Sequence, residues 1–355
     1  MCRQNHGGLI SVQESRNISP PTLRIGPHEL PNGVILAPMA GITDAPFRRM
    51  AVRYGAGLAV SEMVASAALM EGRPEMVLKA EGRGMGLHAV QLAGNDPYWM
   101  GEAARLAESA GAAIVDINMG CPSKRVITGA AGAALLRDLP LARRIIAAVR
   151  KAVRIPVTLK TRLGWDDGAP TAVTLAQAAE AEGVAMVTIH GRTRCQFYDG
   201  RADWSAIRAV KDALAIPVIA NGDVTRPEHA PAIRAASGAD GVMIGRGAQG
   251  RPWFPGQAAR ALAGRPVPPD PDVGEQRDVL LELYDGWLSH YGTELGVRQA
   301  RKHIGWALAA AGQGAAEGAD FVARWRRPLL TEDDPTRVAA GIRAAYHELD
   351  RRAAA

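Results

Sequence analysis

The sequence predicts an α/β chain in two parts, a (β/α)8 TIM barrel followed by a small C-terminal helical bundle. Three observations carry this. Eight short apolar runs recur along the first two thirds of the chain, each ending in a polar or reactive residue. Ala/Leu/Arg-rich segments of helical composition separate most of them. Beyond a proline-rich stretch the strand pattern stops and long helical periodicity takes over.

Strands buried on both faces read as continuous Val/Ile/Leu runs. In order they are Val34 to Met39, Leu58 to Glu62, His88 to Gln91, Ala113 to Pro122, Val157 to Arg162, Met186 to His190, Pro217 to Asn221, and Gly241 to Arg246. In a barrel of this kind the active site lies where the strands end. The endings place Met39, Glu62, Gln91, Asn118 with Cys121, Lys160 with Arg162, His190, Asn221 and Arg246 on one rim. Any one of them has a structural explanation, and a lone buried Cys is more often an inert small hydrophobe. Eight such endings on one rim indicate chemistry.

Residues 22–264 supply the roughly 250 residues of one barrel. Residues 1–21, polar and ending in a Pro-Pro pair, are expected to be a flexible extension. The boundary falls in Gly264 to Asp272, GRPVPPDPD, whose prolines cannot continue a helix. Residues 265–355 follow, with candidate helices at Val273 to Tyr291, Glu294 to Ala311, Ala316 to Arg327 and Asp334 to Leu349, joined by short turns as in an antiparallel bundle.

The formal net charge of +6 permits a polyanionic partner without requiring one. It sits on the barrel: Met1 to Gly264 holds 30 Lys/Arg against 22 Asp/Glu, the remainder 12 against 14. Cys2, Cys121 and Cys195 are odd in number and form no CxxC pair, which argues against a disulfide framework and a zinc site and implies a reducing cytoplasm. No apolar run approaches the roughly 18 residues of a membrane helix. A cytoplasmic protein without metal, acting as a monomer, is expected.

Gly245 to Gly250, GRGAQG, matches the dinucleotide fingerprint GxGxxG. It closes a run of strands instead of opening one, Pro252 interrupts the following helix, and the proline-rich linker stands where the next strand belongs. In a barrel the loops after strands seven and eight frequently form a phosphate site. Here they are Asn221-Gly222-Asp223 and Gly245-Arg246-Gly247, with glycine N–H groups and one guanidinium suited to a single phosphate.

The motifs APMAGITDAPFR (Ala37 to Arg48), VQLAG (Val90 to Gly94), DINMGCP (Asp116 to Pro122), LKTRLGW (Leu159 to Trp165), HGRTRCQFYDGRADW (His190 to Trp204), ANGD (Ala220 to Asp223) and MIGRGAQGRPW (Met243 to Trp253) resemble the flavin-dependent tRNA-dihydrouridine synthases. The segment VRQARKHIGW (Val297 to Trp306) looks most like the bacterial B-type branch. The resemblance implies FMN at the barrel mouth, reduced by NADPH, and hydride transfer to C6 of a uridine in the tRNA D-loop. It implies that Gln91 and His190 flank the flavin ring, that Pro38, Met39 and Ala40 line it, and that Arg162 and Tyr198 hold the target base.

The residue chemistry agrees. Reducing the C5=C6 bond of uracil needs a proton donor for C5, and Cys121 suits that task. Asn118 can hydrogen-bond a flavin or uracil edge. Lys160 ends an apolar strand, where a buried cation needs an anion such as a reduced flavin. Arg298, Arg301 and Lys302 share a helix face and suit phosphate contact, although a charged cluster is by default a solvated face. Lys124 and Arg125 have the same dual reading. Two alternatives stay open at this level: an FMN barrel of the dihydroorotate dehydrogenase type, and a non-catalytic tRNA-binding protein.

Overall fold

The computed structural model describes residues 22–313 and 318–353. Eight parallel strands close into a barrel. They are β1 (Val34–Leu36), β2 (Leu58–Ala65), β3 (Ala89–Ala93), β4 (Ile114–Met119), β5 (Val157–Arg162), β6 (Met186–His190), β7 (Val218–Asn221) and β8 (Gly241–Ile244). Each pairs with the next, and β8 returns to β1. All eight expected strands form. The extension 1–21, with Cys2, and the expected helix start at Ala316 lie outside the described residues.

Side chains alternate along a strand, so the barrel has two cores. Facing the ring helices are residues such as Val34, Leu36, Val115, Ile117, Val187, Ile189, Val242 and Ile244. A separate apolar cluster holds Ile35, Leu58, Val60, Ala89, Ile114, Met186, Ile219 and Met243 together with Leu23, Ile25 and Leu30. The last three belong to a hairpin, Arg24–Ile25 against His28–Glu29, that turns at Gly26 and closes the barrel from below. Its strands are two residues each, too short to give a periodic signal in the sequence.

One layer higher the same inward positions turn polar: Glu62, Gln91, Asp116, Asn118, Thr188, His190 and Asn221 are buried there. The register between β2 and β3 shifts between Val60 and Met63. A bulge of this kind re-aims a side chain. Here Ser61 Oγ accepts from the Gln91 N–H at 2.9 Å, and Glu62 reaches across to the Gly41 N–H.

The bundle helices are Val273–Tyr291, Thr293–Ala311, Gly318–Thr331 and Pro335–Ala353. Asp272 caps the first by accepting from the Glu275 N–H at 2.8 Å. The third runs past the expected end at Arg327 and through Pro328, because Leu329 is buried there against Gly341 of the fourth helix. Trp287, Tyr284, Ile304, Phe321, Ile342 and Tyr346 fill the interior. The bundle meets the barrel closely at Gly250, where a Cβ would lie 2.5 Å from the Trp306 backbone and where φ is +73°. Only glycine fits both conditions.

Candidate active site at the barrel mouth

The floor of the mouth is a hydrogen-bonded row across β3, β4 and β5. Gln91 Nε2 donates to Asp116 Oδ2 at 2.7 Å, and Thr158 Oγ1 donates to Asp116 Oδ1 at 2.5 Å. Asn118 Nδ2 donates to Gln91 Oε1 at 2.8 Å. Burial raises the Asp116 pKa, opposed by the Thr158 and Gln91 bonds and by the Lys160 charge. Asn118 Oδ1 accepts from the N–H groups of Gly120 and Cys121, at 3.2 and 3.0 Å. Asn118 therefore shapes the turn that carries the half-buried Cys121, a more structural use of its amide than the sequence suggested.

Above this floor stand the cations. Lys160 Nζ donates to Asn221 Oδ1 at 3.1 Å, while Asn221 Nδ2 donates to the Met243 carbonyl at 2.8 Å. Burial and the neighbouring Arg162 lower the Lys160 pKa to about 8, with Asp116 and Cys121 pulling the other way. Burial, reinforced by Lys160, Arg162, Arg192 and Arg246, holds His190 well below the ordinary histidine value, so its imidazole is neutral at pH 7. Pro38 and Met39 border the same space half-buried, Ala40 is exposed, and Met39 Sδ lies 3.6 Å from where a Cβ on Gly245 would be.

Arg162 is buried and tied to three carbonyls. Its Nε donates to Gly120 at 2.8 Å, and its Nη1 donates to Thr193 at 2.9 Å and Phe197 at 2.8 Å. Among the described residues these three bonds use Nε and Nη1 and none is made by Nη2. The guanidinium lies 5.5 Å from the Tyr198 ring centre, and Arg246 lies 4.9 Å from it.

The loops after β7 and β8 meet at Asp223, a non-glycine residue at φ +54°. Arg192 clamps its carboxylate through two bonds of 2.9 and 2.7 Å, and Arg246 approaches at 3.5 Å. Partial burial opposes ionisation of Asp223, yet these charges and the Ala202 N–H outweigh it and hold its pKa low. Gly222, at φ +137°, sits where a Cβ would lie 2.5 Å from Ala202. Arg192 was legible only as part of the HGRTR motif, with nothing in the sequence to single it out.

The bundle cations separate. Arg298 is exposed and pairs with Glu294 at 2.5 Å, and Arg301 pairs with Asp333 at 2.5 Å. Lys302 turns toward the barrel, bonded to Gln299, with its ammonium 3.4 Å from where a Cβ on Gly41 would lie. Its pKa is lowered by burial against the pull of Asp44 and Glu62. Spacing puts the three on neighbouring turns, but their surroundings differ. Lys124 and Arg125 are exposed on a short helix beyond Cys121 and have no ion-pair partner among the described residues.

Asp44, which sequence reasoning passed over, ties the two parts together. It caps helix Ala45–Arg53 through the Phe47 N–H at 3.1 Å and accepts from Trp287 Nε1 and Tyr291 Oη, both at 3.2 Å. Its signal was present in the sequence as an Asp followed by Ala-Pro at a helix start.

Residues 35–332 match the family model of the dihydrouridine synthases (Dus). The chain belongs to the dihydrouridine synthase family. Its family places it among flavin-dependent oxidoreductases, and the match runs from β1 well into the bundle. The chain is 50% identical over 319 residues to a probable tRNA-dihydrouridine synthase of Rhizobium leguminosarum bv. phaseoli, covering 90% of this chain and 96% of that one. It is 49% identical over 333 residues to one from Rhodobacter capsulatus, with 93% and 98% covered. With tRNA-dihydrouridine synthase B of Pseudomonas putida it shares 43% over 327 residues, with 92% and 95% covered.

Two solved structures share the barrel fold. One is the 6-hydroxypseudooxynicotine amine oxidase of Pseudomonas geniculata (TM-score 0.55, 15% identity), the other a 2-naphthoyl-CoA reductase complex (TM-score 0.53, 14% identity). Each alignment covers 70% of this synthase, which spans about half of either structure. No helix among the described residues is long and apolar enough to cross a membrane.

Proposed function

We propose that this synthase reduces the C5=C6 bond of a D-loop uridine in tRNA with FMN and NADPH, and that the Cys121 thiol gives the proton to C5. The observation that carries the reading is Lys160. Its ammonium is drawn into the mouth with one neutral acceptor and no ion-pair partner among the described residues. A buried cation in that state calls for an anionic or strongly polar ligand.

The donor set around it fits a flavin mononucleotide. Lys160 meets the electron-rich pyrimidine side of the ring system, while Gln91, Asn118 and neutral His190 supply its edge contacts. Pro38, Met39 and Ala40 cover the ring, and the Asn221-Gly222-Asp223 and Gly245-Arg246 loops receive the phosphate. When bound, FMN supplies the hydride that NADPH has delivered to it.

The remaining work falls to side chains of this chain. Asn118 holds the Cys121 turn in place, so the thiol faces the ring from a fixed backbone. Cys121 transfers its proton to C5 as hydride reaches C6, and the thiolate is reprotonated from water. Arg162 Nη2 orients a uracil carbonyl, and Tyr198 stacks on the extruded base. Lys124, Arg298 and Arg301 contact tRNA phosphates.

Cys121→Ala tests this directly. The variant is expected to keep its flavin and its oxidation of NADPH but to lose about 99% or more of its rate of dihydrouridine formation, since a missing general acid costs roughly 10²-fold or more. Mass-spectrometric quantification of dihydrouridine in tRNA is the measurement. Near-normal yield would remove Cys121 from the mechanism.

A further inference from the structure

Phe197 holds a conformation that the site so far does not explain. Its φ is +50°, a left-handed backbone that a bulky side chain adopts only when its surroundings impose it. Burial does not impose it, because the residue remains 43% exposed. Two hydrogen bonds do. Its N–H donates to the Arg194 carbonyl at 3.0 Å, and its carbonyl accepts from Arg162 Nη1 at 2.8 Å.

The effect of this turn is to set two rings at a fixed angle. Phe197 and Tyr198 meet edge to face, with centres 4.7 Å apart and planes at 80°. The Tyr198 ring has the guanidiniums of Arg162 and Arg246 over it, and lies 6.5 Å from His190. The Phe197 ring, unlike its carbonyl, is paired with neither cation nor the histidine among the described residues. Among the described residues its one aromatic neighbour is Tyr198, and at 43% exposure the ring is accessible to a ligand.

We infer that Phe197 is a stacking platform for the base next to the target uridine, and so a positioning residue for the RNA strand. The inference rests on the tRNA reading above. Extruding one base leaves its neighbour with an uncovered face, and an aromatic side chain replaces the lost stack without regard to base identity. Arg162 makes the two rings one device. The guanidinium beside Tyr198 also fixes the Phe197 carbonyl, so engagement of the target base and of its neighbour share one support.

The test measures dihydrouridine formation on an unmodified tRNA transcript and on transcripts abasic at either neighbour of the mapped target uridine. Phe197→Ala is expected to lose roughly tenfold in kcat/KM, chiefly through KM, with flavin content and melting temperature as in the wild type. Phe197→Gly, which adopts a positive φ freely, should show the same loss, and Phe197→Trp should recover most of it. One abasic transcript should cost the wild type the same factor and cost Phe197→Ala nothing further.

Wild-type kcat/KM in Phe197→Ala overturns the inference. So does a loss that Phe197→Gly lacks, which would assign the residue to the shape of the turn, and so do two losses that multiply independently. A wild-type enzyme that forms no dihydrouridine on any intact transcript refutes the functional reading instead.

Discussion

Replacing Asp44 with asparagine should flatten the pH dependence of stability between about pH 4 and 6. Burial raises the Asp44 pKa from 3.8 to about 6, aided by the Glu62 carboxylate and opposed by hydrogen bonds from the Phe47 N–H, Trp287 and Tyr291. Lys302 faces this carboxyl from the bundle side of the interface. An acid whose pKa is raised on folding binds its proton more tightly in the native state. Its stabilising contribution is complete below the unfolded value, near 3.8, and is lost as the pH rises through about 6. Two units at 1.36 kcal/mol each make the change about 3 kcal/mol.

Asparagine keeps the Oδ1 acceptor that serves Phe47 and Trp287, and the Tyr291 hydroxyl can turn to accept from its amide. The cap therefore survives while the titration disappears. Urea unfolding at closely spaced pH values, wild type against Asp44→Asn, is the assay. The wild type should lose about 3 kcal/mol relative to the variant between pH 4 and 7. Parallel stability curves would show that the Asp44 pKa is not raised and that the interface tolerates its charge.

The two proposed flavin contacts should separate by phenotype. Arg246→Ala weakens retention of FMN through its phosphate, whereas Lys160→Ala keeps the cofactor but slows its reduction by NADPH; full flavin and unchanged reduction rates in both variants would refute this placement. The bundle cations should separate as well. Arg298→Ala should weaken tRNA binding and lower the salt slope by about one unit, while Lys302→Met, which keeps the stem but loses the charge facing Asp44 and Glu62, should change the melting temperature first; tRNA titrations over a salt series and thermal unfolding distinguish them.

The strands were legible because both faces of a barrel strand are apolar, and because the polar layer at the mouth interrupts each run at the same depth. Gln91, Asn118, Lys160, His190 and Asn221 all stand where the run endings put them. What was hidden depends on contacts far apart in the chain. Nothing local joins Asp44 to Trp287 and Tyr291, more than 240 residues away. The Ser61–Glu62 bulge breaks the alternation that a strand reading assumes. Strand position placed Arg162 on the rim but could not show its three carbonyl partners, which come from other loops. The left-handed turn at Phe197 has no glycine to announce it.

The differing environments of the bundle cations separate those proposed to meet RNA from one that supports the barrel. The Arg298 pair is exposed, and exposed ion pairs are worth about 0–1 kcal/mol, so exchanging Glu294 for an RNA phosphate costs little. Arg301 is half-buried, but its Asp333 partner is exposed and can be exchanged in the same way. Lys302 is not available on those terms, because it is half-buried over Gly41 beside two buried carboxylates. Glu62 holds the Gly41 N–H, and Asp44 ends the same loop, which begins with Pro38, Met39 and Ala40. The second bundle helix thus carries Arg298 and Arg301 on its open side and braces the loop assigned to the flavin on the other. If RNA binds at Arg298 and Arg301 as proposed, a shift of that helix would reach the loop through Lys302, which lies against Gly41 with the Asp44 and Glu62 carboxylates beside it.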